Sequence, residues 1–430
     1  MIGVVADDTT GANDIGVMFA KHGWTTLVVA HDVPEPLPPT DVIILDTDSR
    51  LDRADVAYRK VATATRRLDA LGCTWLHKKT CSVFRGNIGA ELDALLDATK
   101  ESFAIVSLAF PKNGRVTQHG VHTVHGQRLE ESPFARDPVH PMRESDLVSI
   151  LRKQTSRPVR FVPLEVVRSG VVALRRALCA EAESGGYAIV DAIEQRDLAT
   201  LAEAAHDFRC FAGSSAIAEE LPRFWSRPPA RELLGEHWRD DPNGVLVVAG
   251  SLTPQTRAQT DAMTAAKIAT FMLDARVVFD PPERARETAR IALGAAEVLR
   301  RGADVLVLAD PAAETVVETQ HRGAESGLDP LAASKCVSAT LADITERIVT
   351  ETGITRLVVA GGDTSGTLCR RLGVRGNYVL EEVATGVPSG LAIGRDMVLV
   401  LKSGSFGERD FLLNAAEHLK ALTRARRRSA

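Results

Sequence analysis

Residues 1–14 read MIGVVADDTTGAND, and the fold is decided where that stretch turns. Ile2 to Ala6 is a short apolar run rich in β-branched side chains, which fits a buried strand better than a helix. Polarity then switches at Asp7, Asp8, Thr9, Thr10, Gly11, Asn13 and Asp14, and Ile15 to His22 resumes with helical apolar spacing until Gly23 ends it. Strand, polar loop and helix open an α/β sheet, whose ligands bind beyond the carboxyl ends of the strands. Asp, Thr and Asn at such a turn also cap a helix. Two adjacent carboxylates exceed what a cap requires, so Asp7 and Asp8 are candidate catalytic residues.

Further along, Thr25 to Ala30 and Val42 to Leu45 read as strands, the second opening into DTDSR. Strands alternating with helical stretches specify a mainly parallel sheet with helices on its faces. Asp46, Asp48 and Arg50 then fall on the same rim as Asp7 and Asp8. Arg50 is suited to fork a carboxylate or phosphate, with pairing to Asp46 or Asp48 as the simpler alternative. A helix from about Arg53 to Leu71 and a strand from Thr74 to His77 lead to HKKTCSVFRGNIGAEL, where Lys78, Lys79 and Arg85 crowd one loop ahead of a helix near Ile88. A positive loop feeding a helix N-terminus is suited to an anion.

Ala104 to Ala109 is a strand ending in FPKNGR, followed by a long excursion over 111–146. The alternation in GVHTVHGQRL predicts a hairpin, and ordered loops of this length commonly serve as lids, so Phe134, Arg136 and Asp137 are placed to close over a substrate. His119, His122, His125 and His140 fall into neither a cysteine-supported finger nor a helical HExxH pair. Further strands follow at Val159 to Leu164 and Tyr187 to Asp191, and CFAGSSAIAEEL gives another strand-to-helix turn.

From Pro222 to Gly244 the sequence is dense in Pro, Trp and charge without periodicity, which marks a boundary. The expected domains are 1–225 and 244–430, joined by a linker over 226–243, with the active site in the cleft between them. In the second, strands at Val245 to Ala249, Leu357 to Ala360 and Met397 to Leu401 run into GSLTPQT, GGDTSG and KSGSFG, with Phe271 to Leu273 and Val305 to Leu308 as further strands. Glycine turns with hydroxyl side chains after strands cradle phosphates on backbone N–H groups. A GxxxxGK[ST] loop and a GxGxxG fingerprint after a strand are both missing.

A net charge of -4 and 5% aromatics carry no nucleic-acid footprint, and the basic run Arg424 to Arg428 reads as a solvated tail. No stretch has the length and apolarity of a membrane span, Met1 leads into a strand rather than a signal peptide, and six scattered cysteines suit a reducing compartment, so a cytoplasmic protein is expected. Assembly into a homo-oligomer is left open by the sequence.

The ordered set VADDTTGAND, DTDSR, KKTCSVFRGNIGAEL, AFPKNGR, PFARDPVHPMRESDL, AGSLTPQT, AGGDTSG and LKSGSFG resembles the four-carbon acid sugar kinases, formerly a domain of unknown function. The resemblance runs nearly end to end. It implies an N-terminal acid-sugar domain, a C-terminal nucleotide domain, and transfer of phosphate from ATP, with Mg²⁺, to threonate, erythronate or an oxo-tetronate. Asp8, Arg50, Lys79, Thr80, Cys81 and Ser82 resemble its substrate contacts, joined by Arg85 from the same loop. Ser251, Gly361, Gly362, Asp363, Thr364, Gly404, Ser405, Phe406 and Gly407 resemble its ATP contacts, Asp363 being the candidate for Mg²⁺. The family usually has KxDS where this chain has Cys81 in place of the Asp. A partly accessible Cys81 lining the pocket is expected, with a thiol pKa depressed by nearby cations, whereas burial beneath the loop would raise it. That departure motivates an alternative, a catalytically weakened nucleotide and acid-sugar binding protein or sensor. An oxidoreductase using the first domain for a dinucleotide is a third reading with a poor motif match.

Overall fold

A computed structural model describes residues 1–137, 140–226, 229, 231, 233 and 241–424. Most of the expected linker, and the basic run beyond Arg424, lie outside the described residues. The chain forms two compact units, Met1–Arg231 and Glu232–Ala430.

In the first unit the strands are β1 (Ile2–Ala6), β2 (Thr26–Ala30), β3 (Val42–Asp46), β4 (Trp75–Lys79), β5 (Phe103–Ser107), β6 (Arg115–Gln118), β7 (Val121–Val124), β8 (Gln127–Arg128), β9 (Val159–Val162), β10 (Gly186–Val190) and β11 (Cys210–Gly213). The order β2-β3-β1-β4-β11-β5-β10-β9 is parallel throughout. Helices cover both faces of such a sheet, so β1, β4, β5 and β10 are buried along their whole length and read as continuous rather than alternating runs. Chain order reverses across β1, with β2 and β3 on one side and β4 on the other, which is the switch point where ligands of open sheets bind. The register Ala6↔Asp46 and Ala6↔Lys79 aligns the ends of β1, β3 and β4, so the segments after them emerge together. The hairpin expected in the excursion forms as β7 and β8, with β6 completing a small antiparallel sheet.

In the second unit the strands are β12 (Leu246–Ala249), β13 (Ala269–Leu273), β14 (Val305–Ala309), β15 (Arg356–Ala360), β16 (Gly376–Ala384), β17 (Val387–Ile393) and β18 (Val398–Lys402). The run β13-β14-β12-β15-β18 is parallel, and β17 and β16 continue it antiparallel. Alternate strand residues feed opposite faces. Leu246, Val248, Val305, Val307, Leu357 and Val359 pack into one core, and Val247, Leu306, Leu308, Val358 and Ala360 into the other.

Three local expectations change. The first helix spans Thr9–Ala20 rather than starting at Ile15, because Asp8 caps it by accepting from Gly11 N. The strand expected to end at His77 continues through Lys78 and Lys79, which therefore lie in β4 and not in an open loop. The β16–β17 pair adds an antiparallel part that the glycine-turn pattern did not announce. Among the described residues no helix is long and apolar enough to cross a membrane.

Candidate functional site

At the switch point of the first unit, Arg50 follows β3 and reaches back to the turn after β1. Its Nε and Nη2 donate to the two oxygens of Asp7 at 2.8 and 2.9 Å, and Nη1 donates to Asp8 Oδ2 at 2.7 Å. The expected alternative partners, Asp46 and Asp48, are thus replaced by the two carboxylates of the opening motif. Such a two-pronged pair is the geometry guanidinium favours. The two aspartates differ in environment. Asp7 is 1% exposed; burial raises its pKa, but Arg50, Lys78 and Lys79 outweigh that and hold the carboxyl well below its usual range. Asp8 keeps 19% of its side chain exposed while capping the helix through Gly11 N at 2.8 Å.

Beneath them the lysines of β4 are buried and paired. Lys78 Nζ lies 2.9 Å from Glu91 Oε2, and Glu91 also accepts from Ser49 Oγ at 2.5 Å, next to Arg50. Lys79 Nζ donates to Thr80 O at 2.9 Å and stands 3.4 Å from Asp14 Oδ2, which accepts from Ser215 Oγ at 2.8 Å. Lys79 and Thr80 are therefore floor rather than open surface. Cys81 is 7% exposed, so the partly accessible thiol expected from sequence is corrected to a buried one. Burial pushes that thiol up, yet Arg85 and Arg50 overcome it and the net shift is downward. Enclosure and a depressed pKa coexist because two guanidinium groups are enclosed with the sulfur.

Ser82 and Arg85 remain partly exposed. Phe84, between them and fully buried, adopts φ 61, a conformation unusual for a bulky side chain and of the kind concentrated at functional sites. Arg85 Nη1 pairs with Asp137, and Asp137 Oδ1 accepts from His140 N at 2.8 Å. His140 Nε2 in turn meets Arg50 O at 2.9 Å. The excursion thus lies against Arg85 and the backbone of Arg50 through Asp137 and His140. Asp46, expected on the rim and as an alternative partner for Arg50, is held by other groups. It accepts from Thr9 Oγ1 at 2.5 Å and from Asp48 N at 3.0 Å, and burial pushes its carboxyl up to about 7. His122 is buried against Thr117 Oγ1 and Ser82 O. Among the described residues no group of three or more His, Cys, Asp or Glu is arranged to hold a metal.

In the second unit the glycine turns after β12, β15 and β18 converge. Ser251 N donates to Ala360 O at 3.3 Å, and Gly361 N to Lys402 O at 2.9 Å, so each turn is tied to the neighbouring strand end. A Cβ on Gly250 would fall 2.1 Å from Thr364 Oγ1, and one on Gly404 2.3 Å from Ser251 Oγ. Gly361 (φ 129) would place a Cβ 3.3 Å from Ser251 N. These positions need glycine because the turns touch. Gly362, Asp363 and Thr364 begin the helix Gly362–Arg371, with Asp363 exposed and Thr364 buried. Thr253 and Thr256 hydroxyls donate to Gly404 O at 2.7 and 2.9 Å. Gln259 Nε2 lies within 3.0 Å of the carbonyls of Phe406, Gly407 and Glu408. The carbonyls of the Gly404 turn are thereby held by side chains of the helix Pro254–Ala265 and the residue before it. Thr256 and Gln259 carry this geometry, and sequence reading passed over both because their contacts are made at long range.

A parallel sheet with paired charges at its switch point, and a second with three touching glycine turns, define a two-part small-molecule enzyme. The chain belongs to the family whose models are described as a sugar-binding N-terminal domain, matched over residues 2–221, and a nucleotide-binding C-terminal domain, matched over 246–412. It is a sugar-acid kinase, a phosphotransferase. It is similar to a 3-oxo-tetronate kinase of Methylobacterium radiotolerans (35% identity over 97% of this chain and 98% of the relative) and to a D-threonate kinase of Salmonella typhimurium (32%, 97% and 98%). It is also similar to a D-erythronate kinase of Heliobacterium modesticaldum (32%, 97% and 96%). A solved Haemophilus influenzae structure matches with TM-score 0.74 at 28% identity, covering 97% of this chain and 100% of that one.

Proposed function

We propose that this protein phosphorylates the terminal hydroxyl of a four-carbon acid sugar of the threonate, erythronate or 3-oxo-tetronate type, using ATP, in the cytoplasm. The observation that carries the reading is the convergence of the Ser251, Gly361 and Gly404 turns into one cradle where added Cβ atoms would collide. The N-terminus of helix Gly362–Arg371, which opens at these close-packed turns, suits polyphosphate. ATP supplies the phosphoryl group. Mg²⁺ held largely by phosphates and water needs few protein ligands, and Asp363, exposed in the first turn of that helix, is the residue assigned to it.

On the first unit, Asp8 accepts the proton of the attacking hydroxyl. Asp7 is a positioning residue, since its two bonds fix the Arg50 guanidinium and Arg50 fixes Asp8. The partly exposed Arg85 and Ser82 hold the acid group, while Lys79, Thr80 and Cys81 shape the floor of the pocket. With a general base worth about 10²–10⁴ in rate, most of the remaining acceleration comes from alignment and charge stabilisation. The test is ATP consumption on a panel of D- and L-threonate, D- and L-erythronate and the 3-oxo acids. Turnover of at least one is expected; nucleotide binding without turnover of any would support the sensor instead.

A further inference from the structure

Lys402 ends β18 directly before the Gly404 turn and is fully buried. Its Nζ donates to Thr256 Oγ1 at 3.1 Å and to Gly404 O at 3.2 Å, both neutral acceptors. The elements around it carry charged or titratable groups, namely Arg257 and Asp261 on helix Pro254–Ala265, Asp363, Cys369, Arg370 and Arg371 on helix Gly362–Arg371, Glu408, Arg409 and Asp410 after the turn, and Glu417, His418, Lys420 and Arg424 on the helix Phe411–Arg424. None of them pairs with Lys402 among the described residues. On β15 its register partner is Ala360, and β17 contributes no charged side chain. A buried ammonium without a counter-ion is costly and is relieved by losing its proton or gaining an anion. The glycine turn above it is built to supply the anion.

Resting on the nucleotide reading given above, we propose that Lys402 is the proton-coupled partner of the phosphate cradle: it takes up a proton from solvent when a polyphosphate settles on the Gly404 turn. Before that, Lys402 holds the turn by donating to the carbonyl of Gly404; afterwards its full charge stabilises the phosphates from behind the same peptide group. Lysine suits this role because its charge responds to burial, whereas arginine stays charged. Desolvation alone lowers the Lys402 pKa to about 7, which puts the event in the neutral range.

The sign follows from linkage. Above pH 7 the lysine is mostly neutral before binding and an anion raises its pKa, so binding consumes a proton and affinity falls as pH rises. Below pH 7 the proton is already present and uptake vanishes. Calorimetric titration of ADP into the full chain, in buffers of different ionisation heat, reads the proton count directly. The expectation is about one proton taken up per ADP at pH 8 and close to none at pH 6, with Kd weakening up to about tenfold per pH unit above neutrality. Lys402→Arg, which keeps the donor and fixes the charge, should bind ADP with no proton uptake at pH 8, and Lys402→Met should bind weakly with none. ADP binding to the wild-type chain without proton uptake at pH 8, or uptake preserved in Lys402→Arg, overturns the proposal while leaving the nucleotide site standing. Failure of the wild-type chain to bind ADP at all overturns both.

Discussion

Asp7 and Asp8 are adjacent carboxylates of the same size, yet their surroundings predict opposite phenotypes for the same isosteric change. Asp7→Asn removes a nearly inaccessible charge that makes two of the three bonds to Arg50. Breaking a buried pair from one side costs about 3–5 kcal/mol, because the partner is left uncompensated. That is a large part of the roughly 5–15 kcal/mol that holds a domain together. Asp8→Asn should cost far less. Asparagine caps a helix about as well as aspartate, and the lost pair with Arg50 is partly exposed, which limits its contribution to about 1 kcal/mol. In rate the order reverses: Asp8→Asn should lower kcat by about 10²-fold or more as the proton acceptor is lost. Urea unfolding followed by tryptophan fluorescence gives the stabilities, since Trp24, Trp75 and Trp225 all lie in the first unit. Steady-state phosphorylation of the best acid gives kcat. Equal destabilisation by the two variants would refute the assignment of separate roles, and so would an Asp8→Asn enzyme with wild-type kcat.

Other outcomes follow from the same contacts. Gly404→Val puts a side chain where even a Cβ lies 2.3 Å from Ser251 Oγ; ADP affinity measured by calorimetry should fall by more than about tenfold, and an unchanged Kd removes that turn from the nucleotide site. Asp46 holds its proton up to about pH 7 when folded and only to about 3.9 when unfolded. The folded state therefore binds more protons across that interval, and the Asp46 contribution to stability falls as pH rises from about 4 to about 7. Asp46→Asn should flatten the pH dependence of the urea midpoint between pH 5 and 8, and an unaltered slope argues against it. Cys81 should react with iodoacetamide far more slowly in the folded protein than in urea despite its depressed pKa, because enclosure rather than ionisation limits access; rapid labelling at neutral pH would contradict that burial.

Much of this was legible in the sequence where chemistry is local. The apolar run Ile2–Ala6 followed by a carboxylate turn announces a buried parallel strand and its functional end, and the glycines at 250, 361 and 404 announce close backbone approach. Partnership at long range was not legible. DTDSR offers Arg50 two near neighbours, yet it pairs with residues 42 and 43 positions away, because parallel register brings β1 and β3 to the same rim. Likewise Lys78 and Lys79 read as part of an open loop suited to an anion until their acidic partners, Glu91 and Asp14, arrive from two different helices. The strand pair Gly376–Ile393 was hidden for another reason. Glu381 and Glu382 interrupt its alternation where the register shifts, and such irregularities erase the period-two signal.

The way charge is stored in the first unit has a practical side. Dissolved ions screen exposed charges within about 8–10 Å at ordinary ionic strength but reach buried pairs poorly. Lys78 with Glu91, and Lys79 with Asp14, are sealed from solvent on both sides of each pair, and Arg50 with Asp7 nearly so. The rim after β1, β3 and β4 should therefore keep its shape in concentrated salt. An assay run across a range of potassium chloride would then report on how the phosphates of the nucleotide and the carboxylate of the substrate are attracted from solution, with the scaffold beneath them held constant.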